Sequence, residues 1–127
     1  MPARAPIRVL YVEDDRVTAL LFTQMLLEEP HIDLRVADDG AEALAAVKDW
    51  TPNALVLDAH LPDITGHALL GRLRALPGLA HVPAYMCSAD GEPEDLHRAR
   101  EAGFAGYWVK PVAAALVIAT LLSHRPG

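Results

Sequence analysis

The chain has 127 residues, of which 52% are hydrophobic and 22% charged, and this balance indicates one globular domain with a real core. The formal net charge is −6 and no lysine–arginine cluster occurs, so we expect no direct binding of nucleic acid. No apolar run approaches the roughly 18 residues of a membrane span, and no signal peptide is visible. With Cys87 as its single cysteine, the chain is expected to be a reduced, cytoplasmic protein without membrane contact.

Apolar and polar segments alternate regularly from residue 7 onward. The sequence predicts strands at 7–12, 32–36, 54–58, 83–88 and 106–110, and helices at 16–29, 41–50, 67–76, 92–102 and 112–123. Asp15 is expected to cap the first helix and Gly103 to end the fourth. Strict strand–helix alternation predicts an α/β domain over 7–123, with a parallel sheet between two helix layers. Residues 1–6 are expected to be a flexible lead-in and residues 124–127 a tail.

The segment Ala54–Asp58 stands out because an uninterrupted apolar run ends in a carboxylate. Such a run is typical of a parallel strand that is covered on both faces. Asp58 would then lie at the carboxyl end of the strand, where open α/β sheets carry their sites. By itself, Asp58 could equally be a strand-end residue that caps a turn.

Other polar residues fall at the carboxyl ends of neighbouring strands: Glu13 and Asp14 after the first, Ser88 after the fourth and Lys110 after the fifth. Taken alone, the acidic pair could be a solvated turn. Three carboxylates at one rim repel each other by on the order of 3 kcal/mol per pair at about 5 Å, and a hard divalent cation can offset this. A cation, an ammonium group and a hydroxyl around Asp58 would suit phosphoryl transfer onto that carboxylate.

At these residues the chain resembles the response-regulator receiver domains of bacterial two-component signalling. The matching segments are 10–15 (LYVEDD), 56–63 (VLDAHLPD) with Gly66, 87–89 (CSA), 103–104 (GF) and 107–111 (YWVKP). The resemblance spans residues 7–123, and the part from Gly78 to Pro111 is most similar to receivers of hybrid sensor histidine kinases. It implies a flavodoxin-like fold with sheet order 2-1-3-4-5.

The resemblance also implies a role for each site residue. Asp58 would be the phosphoacceptor, and Glu13, Asp14, Asp58 and the backbone carbonyl of His60 would bind Mg²⁺, with Mn²⁺ as a substitute. Ser88 and Lys110 would contact the phosphoryl group. Ser88 and Tyr107 would form the conformational switch, although Tyr107 could be a plain packed aromatic, and the Lys110–Pro111 bond would be cis. The His60 side chain, two residues after the acceptor, stands where dephosphorylation is tuned.

The function implied is a signalling domain rather than a metabolic enzyme. A histidine kinase or histidine phosphotransfer protein would supply the phosphoryl group, and output would pass through protein contacts. One alternative is a haloacid-dehalogenase-like phosphohydrolase, but that family requires a second aspartate where His60 stands and a nucleophile after the first strand. Another is a degenerate receiver that acts only as a binding module, although no expected site residue is missing.

The last predicted helix, 112–123, has no charged residue. One explanation is a mildly apolar exposed face made of alanines and Thr120. The other is an interface, formed either by dimerisation or by docking on another domain. The sequence leaves both open.

Overall fold

The computed structural model describes residues 5–126; residues 1–4 and 127 lie outside the described part. The strands are β1 (Ile7–Val12), β2 (Ile32–Ala37), β3 (Ala54–Asp58), β4 (Ala84–Ser88) and β5 (Gly106–Val109). The helices are α1 (Arg16–Leu27), α2 (Gly40–Ala46), α3 (Gly66–Arg74), α4 (Pro93–Ala102) and α5 (Ala114–Leu122). Of the predicted lead-in 1–6, only Ala5 and Pro6 are described.

All four strand pairings are parallel and the sheet order is β2-β1-β3-β4-β5. The flavodoxin-like α/β fold is therefore confirmed. β2 lies at an edge and β3 lies at the centre. Among the described residues, no helix is long and apolar enough to cross a membrane.

The core consists of two apolar layers, one on each face of the sheet. β3 is buried along its whole length because Leu55 and Leu57 belong to one layer and Ala54 and Val56 to the other. The first layer takes buried side chains from α3, namely Leu69, Leu70 and Leu73. The second takes buried side chains from α1 and α5, namely Phe22, Leu26, Val117 and Leu121. Burial on both faces fixes the position of Asp58 at the end of β3.

Three of the predicted helices extend too far along the chain. The third ends at Arg74 rather than at residue 76. The first helix ends at Leu27 rather than at residue 29, with Glu28 as its C-cap, because the following Pro30 disfavours helical backbone at Glu29. The second ends at Ala46 instead of Trp50. Trp50 is instead 6% exposed, with the Arg35 guanidinium 4.5 Å from its ring centroid.

The remaining helix boundaries follow their caps. Asp15 caps α1 through a hydrogen bond from the Thr18 amide, and Gly103 ends α4 at φ 103°, as predicted. Helix α5 begins at Ala114 instead of residue 112, and β5 ends at Val109 just before the Lys110–Pro111 bond, which is cis as predicted. The outer face of α5 exposes Leu116.

Candidate functional site

The strand ends bring Glu13, Asp58, Ser88 and Lys110 together at one rim of the sheet. Glu13, Asp58 and Ser88 are 1%, 7% and 2% exposed. The Lys110 Nζ atom lies 2.5 Å from Glu13 Oε1 and 3.2 Å from Asp58 Oδ1. The backbone amide of Lys110 donates to the Ser88 carbonyl at 2.8 Å, which fixes the lysine beside β4. The predicted convergence is therefore shown for the side chains of Glu13, Asp58 and Lys110, while Ser88 lies at the end of the adjacent strand β4.

Glu13 is the most enclosed carboxylate of the site. Its Oε1 accepts a hydrogen bond from the Tyr11 hydroxyl at 3.3 Å, and its Oε2 accepts one from the Asp15 amide at 3.3 Å. Burial raises the pKa of Glu13, as does neighbouring Asp58, while the Lys110 ammonium opposes this rise. For Lys110, burial favours a lower pKa, but the hydrogen bond to Glu13 and the two negative charges outweigh it and raise the pKa.

Three carboxylates at the rim are close enough to bind one cation. Glu13, Asp14 and Asp58 each offer an oxygen, and these oxygens lie within 4.8 Å of one another. Asp14 is exposed whereas the other two are buried, so the cluster opens to solvent on one side. Carboxylate oxygens suit Mg²⁺, which binds through one or two carboxylates and keeps several waters. This donor set therefore fits the implied metal.

Ser88 and Tyr107 are linked through the loop after β4. The Ser88 Oγ atom accepts a hydrogen bond from the Asp90 amide at 3.1 Å, and the Tyr107 hydroxyl donates to the Asp90 carbonyl at 2.5 Å. Tyr107 is partly buried against the first core layer. The two predicted switch residues thus share a hydrogen-bonding partner, and a displacement of Ser88 can reach Tyr107 through Asp90.

His60 lies in the loop after β3. It forms an isolated bridge with Thr65, while its side chain is 77% exposed and places Nε2 3.5 Å from Asp90 Oδ2. An exposed pair of this kind contributes little to stability. Coordination of a metal by the His60 carbonyl stays a prediction.

The structure adds two residues that position this loop. A Cβ atom added at Gly66 would lie 2.5 Å from the Asp58 carbonyl oxygen, so α3 can begin this close to the strand end only with glycine there. Asp63 accepts hydrogen bonds from the amides of Gly40 and Ala41 at 2.9 and 3.0 Å, and the first of these bonds lowers its pKa. Neither role follows from the sequence pattern, although both residues lie in the matching segments, because the partners of Asp63 are 22 or more positions away.

Cys87 precedes Ser88 on β4 and is 1% exposed. Burial raises the pKa of its thiol to about 12, so the thiolate is scarce at neutral pH. Cys87 is therefore an inert buried thiol.

Comparison with known proteins identifies the family. The family model described as "Response regulator receiver domain" matches residues 9–122. The chain belongs to this family. Membership sets aside the phosphohydrolase alternative, because the matched fold places Asp58 after the third strand rather than the first.

Individual relatives agree with this assignment. An uncharacterised 14.6 kDa protein of Leptolyngbya boryana is 37% identical over 112 residues, which cover 88% of this chain and 85% of that protein. The sensory/regulatory protein RpfC of Xanthomonas campestris is 29% identical over 114 residues, covering 88% of this chain but 16% of RpfC. A putative response regulator from Chloroflexus aurantiacus superposes with a TM-score of 0.84 at 29% identity, covering 94% of this chain and 97% of that one. Similar receivers thus occur both in small proteins and in much longer ones.

Proposed function

We propose that this receiver domain accepts a phosphoryl group on Asp58 from a phosphohistidine protein, in the presence of Mg²⁺. The observation that carries the proposal is the contact of one ammonium group, Lys110 Nζ, with two buried carboxylates, Glu13 and Asp58. A lysine held there can neutralise charge on an incoming phosphoryl oxygen.

The chemistry requires little of the protein beyond positioning. A carboxylate oxygen of Asp58 attacks phosphorus, the P–N bond to the donor imidazole breaks, and the electron pair stays on that nitrogen. Glu13 and Asp14 would hold Mg²⁺, with Mn²⁺ as a substitute, and the bound ion supplies charge neutralisation at the phosphoryl oxygens. Ser88 Oγ would donate to one of these oxygens, because its present contact with the Asp90 amide uses it only as an acceptor.

Signal output would follow from the Ser88–Asp90–Tyr107 connection. If Ser88 moves towards the phosphoryl group, the Asp90 loop would move with it. The Asp90 carbonyl, which accepts the hydrogen bond from the Tyr107 hydroxyl, would then change position. The phosphorylated state then differs in the surface around α4, β5 and α5, and a protein partner that binds one surface better shifts the equilibrium. The donor is proposed to be a cytoplasmic histidine kinase or histidine phosphotransfer protein.

The test is incubation with acetyl phosphate and Mg²⁺, followed by intact-mass measurement. Wild-type protein should gain one phosphoryl group, with acetate released, and Asp58→Asn should not. Asp33→Asn is the matched control because Asp33 is an exposed aspartate on β2, away from the rim. Lys110→Ala should be labelled far more slowly.

Labelling of Asp58→Asn at the wild-type level would refute the assignment of the acceptor. If no variant, and not even the wild type, gains mass with acetyl phosphate or with a phosphohistidine donor, the chain is a receiver that acts only as a binding module. The same samples with beryllofluoride and Mg²⁺ should change the fluorescence of Trp108, which is buried one residue from Tyr107.

A further inference from the structure

The hydroxyl of Tyr11 lies inside the acidic site, although the proposed reaction gives this residue no role. Tyr11 and Glu13 are two positions apart, and residues at this spacing in extended backbone point to the same face. Glu13 continues the line of β1, because its amide donates to the Ala37 carbonyl at 3.0 Å. The Tyr11 hydroxyl therefore reaches Glu13 Oε1 at 3.3 Å, and both residues are 1% exposed.

Packing fixes the position of this hydroxyl. The Tyr11 ring stacks on Phe22 of α1, with the ring centroids 4.0 Å apart and 25° between the planes. The backbone of Tyr11 lies between two parallel neighbours, Val36 of β2 and Val56 of β3. A side chain held in this way loses little further freedom when it donates, so the hydroxyl is a preorganised donor.

The two carboxylate oxygens of Glu13 differ in the hydrogen bonds that they accept. Oε1 accepts from the Tyr11 hydroxyl at 3.3 Å and from the Lys110 ammonium at 2.5 Å. Among the described residues, Oε2 accepts from the Asp15 amide alone, at 3.3 Å. Each carboxylate oxygen has about two acceptor positions, so Oε1 is filled and Oε2 keeps one open. A cation that binds Glu13 would therefore bind Oε2.

Lys110 is a shared donor that can leave Glu13. Its ammonium also lies 3.2 Å from Asp58 Oδ1, and a cavity of about 270 Å³ beside α1 is bordered by both Lys110 and Tyr11. This cavity leaves room for the lysine side chain to turn towards a phosphoryl group on Asp58. Glu13 Oε1 would then lose its stronger donor, since hydrogen bonds from a charged group are the stronger kind. The Tyr11 hydroxyl would still occupy that oxygen.

We infer that Tyr11 is a positioning residue of the acidic site: its hydroxyl holds Glu13 Oε1, so that Oε2 stays available to a divalent cation whether or not Lys110 contacts Glu13. The inference rests on the proposed function, because it requires the same cation and the same role for Lys110. Loss of a hydrogen-bonding partner of a metal ligand typically weakens metal affinity 10–100-fold. Phenylalanine at position 11 would keep the ring stacking and remove this hydrogen bond.

Magnesium binding by Tyr11→Phe tests the inference without phosphorylation. The Kd for Mg²⁺, measured from the amide resonances of residues 13–15 and 58–60, should rise about tenfold over the wild type. Tyr85→Phe is the matched control, because Tyr85 is a buried tyrosine of the same core layer whose hydroxyl is hydrogen-bonded to His124 instead. The Kd of this control should equal that of the wild type.

Two further measurements separate positioning from a purely structural role. In a Lys110→Ala background, Tyr11→Phe should raise the Kd more than tenfold, because no other described residue then donates to Glu13 Oε1. With acetyl phosphate, Tyr11→Phe should be labelled about tenfold more slowly at limiting Mg²⁺ and at the wild-type rate once Mg²⁺ saturates. A variant with a damaged fold would be slow at both concentrations, and circular dichroism verifies that each variant folds.

Each outcome decides the inference. A raised Kd for Tyr11→Phe, an unchanged Kd for Tyr85→Phe and a larger effect without Lys110 support it. An unchanged or lower Kd for Tyr11→Phe overturns it, as does an equal rise in Tyr85→Phe or a wild type that binds no Mg²⁺. Equal effects with and without Lys110 overturn the sharing of Oε1, and slow labelling at saturating Mg²⁺ overturns the positioning role. If the wild type binds Mg²⁺ but is never labelled, the proposed function fails, and the Mg²⁺ affinities still decide the role of Tyr11.

Discussion

Replacing Gly66 by alanine should both destabilise the fold and disturb the phosphoacceptor. The added methyl group would lie 2.5 Å from the Asp58 carbonyl oxygen and 3.1 Å from the Met86 sulfur. Real Cβ atoms essentially never approach closer than 3.0 Å, and the nearest atom is backbone, so the end of β3 or the start of α3 must move by several tenths of an ångström. Overpacking of this kind lowers the free energy of unfolding by about 1–3 kcal/mol. Each kcal/mol lost should lower Tm by about 4 °C in a domain of this size.

Urea unfolding of Gly66→Ala and Gly71→Ala measures this effect within one helix. At Gly71 no atom lies within 4 Å of the added Cβ, so that variant should be more stable than wild type by about 0.5–1 kcal/mol. Labelling of Asp58 by acetyl phosphate should slow in Gly66→Ala and stay unchanged in Gly71→Ala. If Gly66→Ala matched the wild type in both midpoint and labelling rate, the close approach would not constrain the site.

Three further changes have defined outcomes. Lys110→Ala should lower the free energy of unfolding by about 2–3 kcal/mol at neutral pH and by less in acid, where Glu13 takes up a proton at its raised pKa; urea titrations at both pH values measure this. Mg²⁺ at 100 times its Kd should raise the free energy of unfolding by about 2.7 kcal/mol. This gain should shrink on acidification, because protons compete with the metal at Glu13, whose pKa is raised; melting curves of the wild type and Glu13→Gln test this. Arg74→Ala should cost about 2 kcal/mol in urea because its guanidinium donates to the carbonyls of residues 80, 82 and 103.

The rim of the sheet could be predicted from the sequence because parallel strands converge there. Once the strands were placed, Glu13, Asp58, Ser88 and Lys110 had to lie at the same edge of the sheet, and errors of two to four residues at the helix ends do not alter this. The cis bond and the phosphoacceptor role came from the resemblance rather than from geometry. The fold shows the cis bond directly, whereas the acceptor role needs the labelling experiment.

The features that could not be predicted depend on partners distant in the sequence. Helix α2 ends at Ala46, and Trp50 beyond it packs under Arg35 of β2. In the sequence, Asp63 looks like an ordinary turn residue, and only the folded chain brings its carboxylate to the start of α2. Arg74 likewise joins the chain before β4 to the turn after α4. Local patterns contain no record of such contacts.

The Lys110–Pro111 segment contributes both to the acidic site at the rim of the sheet and to the cavity beside α1. The Lys110 ammonium contacts Glu13 and Asp58, while Lys110 and Pro111 also line the cavity beside α1. A side chain that enters this cavity therefore touches the residue that would neutralise the phosphoryl group. If phosphorylation changes the affinity of a partner that binds at this cavity by some factor, linkage requires that partner to change the stability of the phosphorylated state by the same factor. Helix α1 would then regulate a site to which it contributes no ligand.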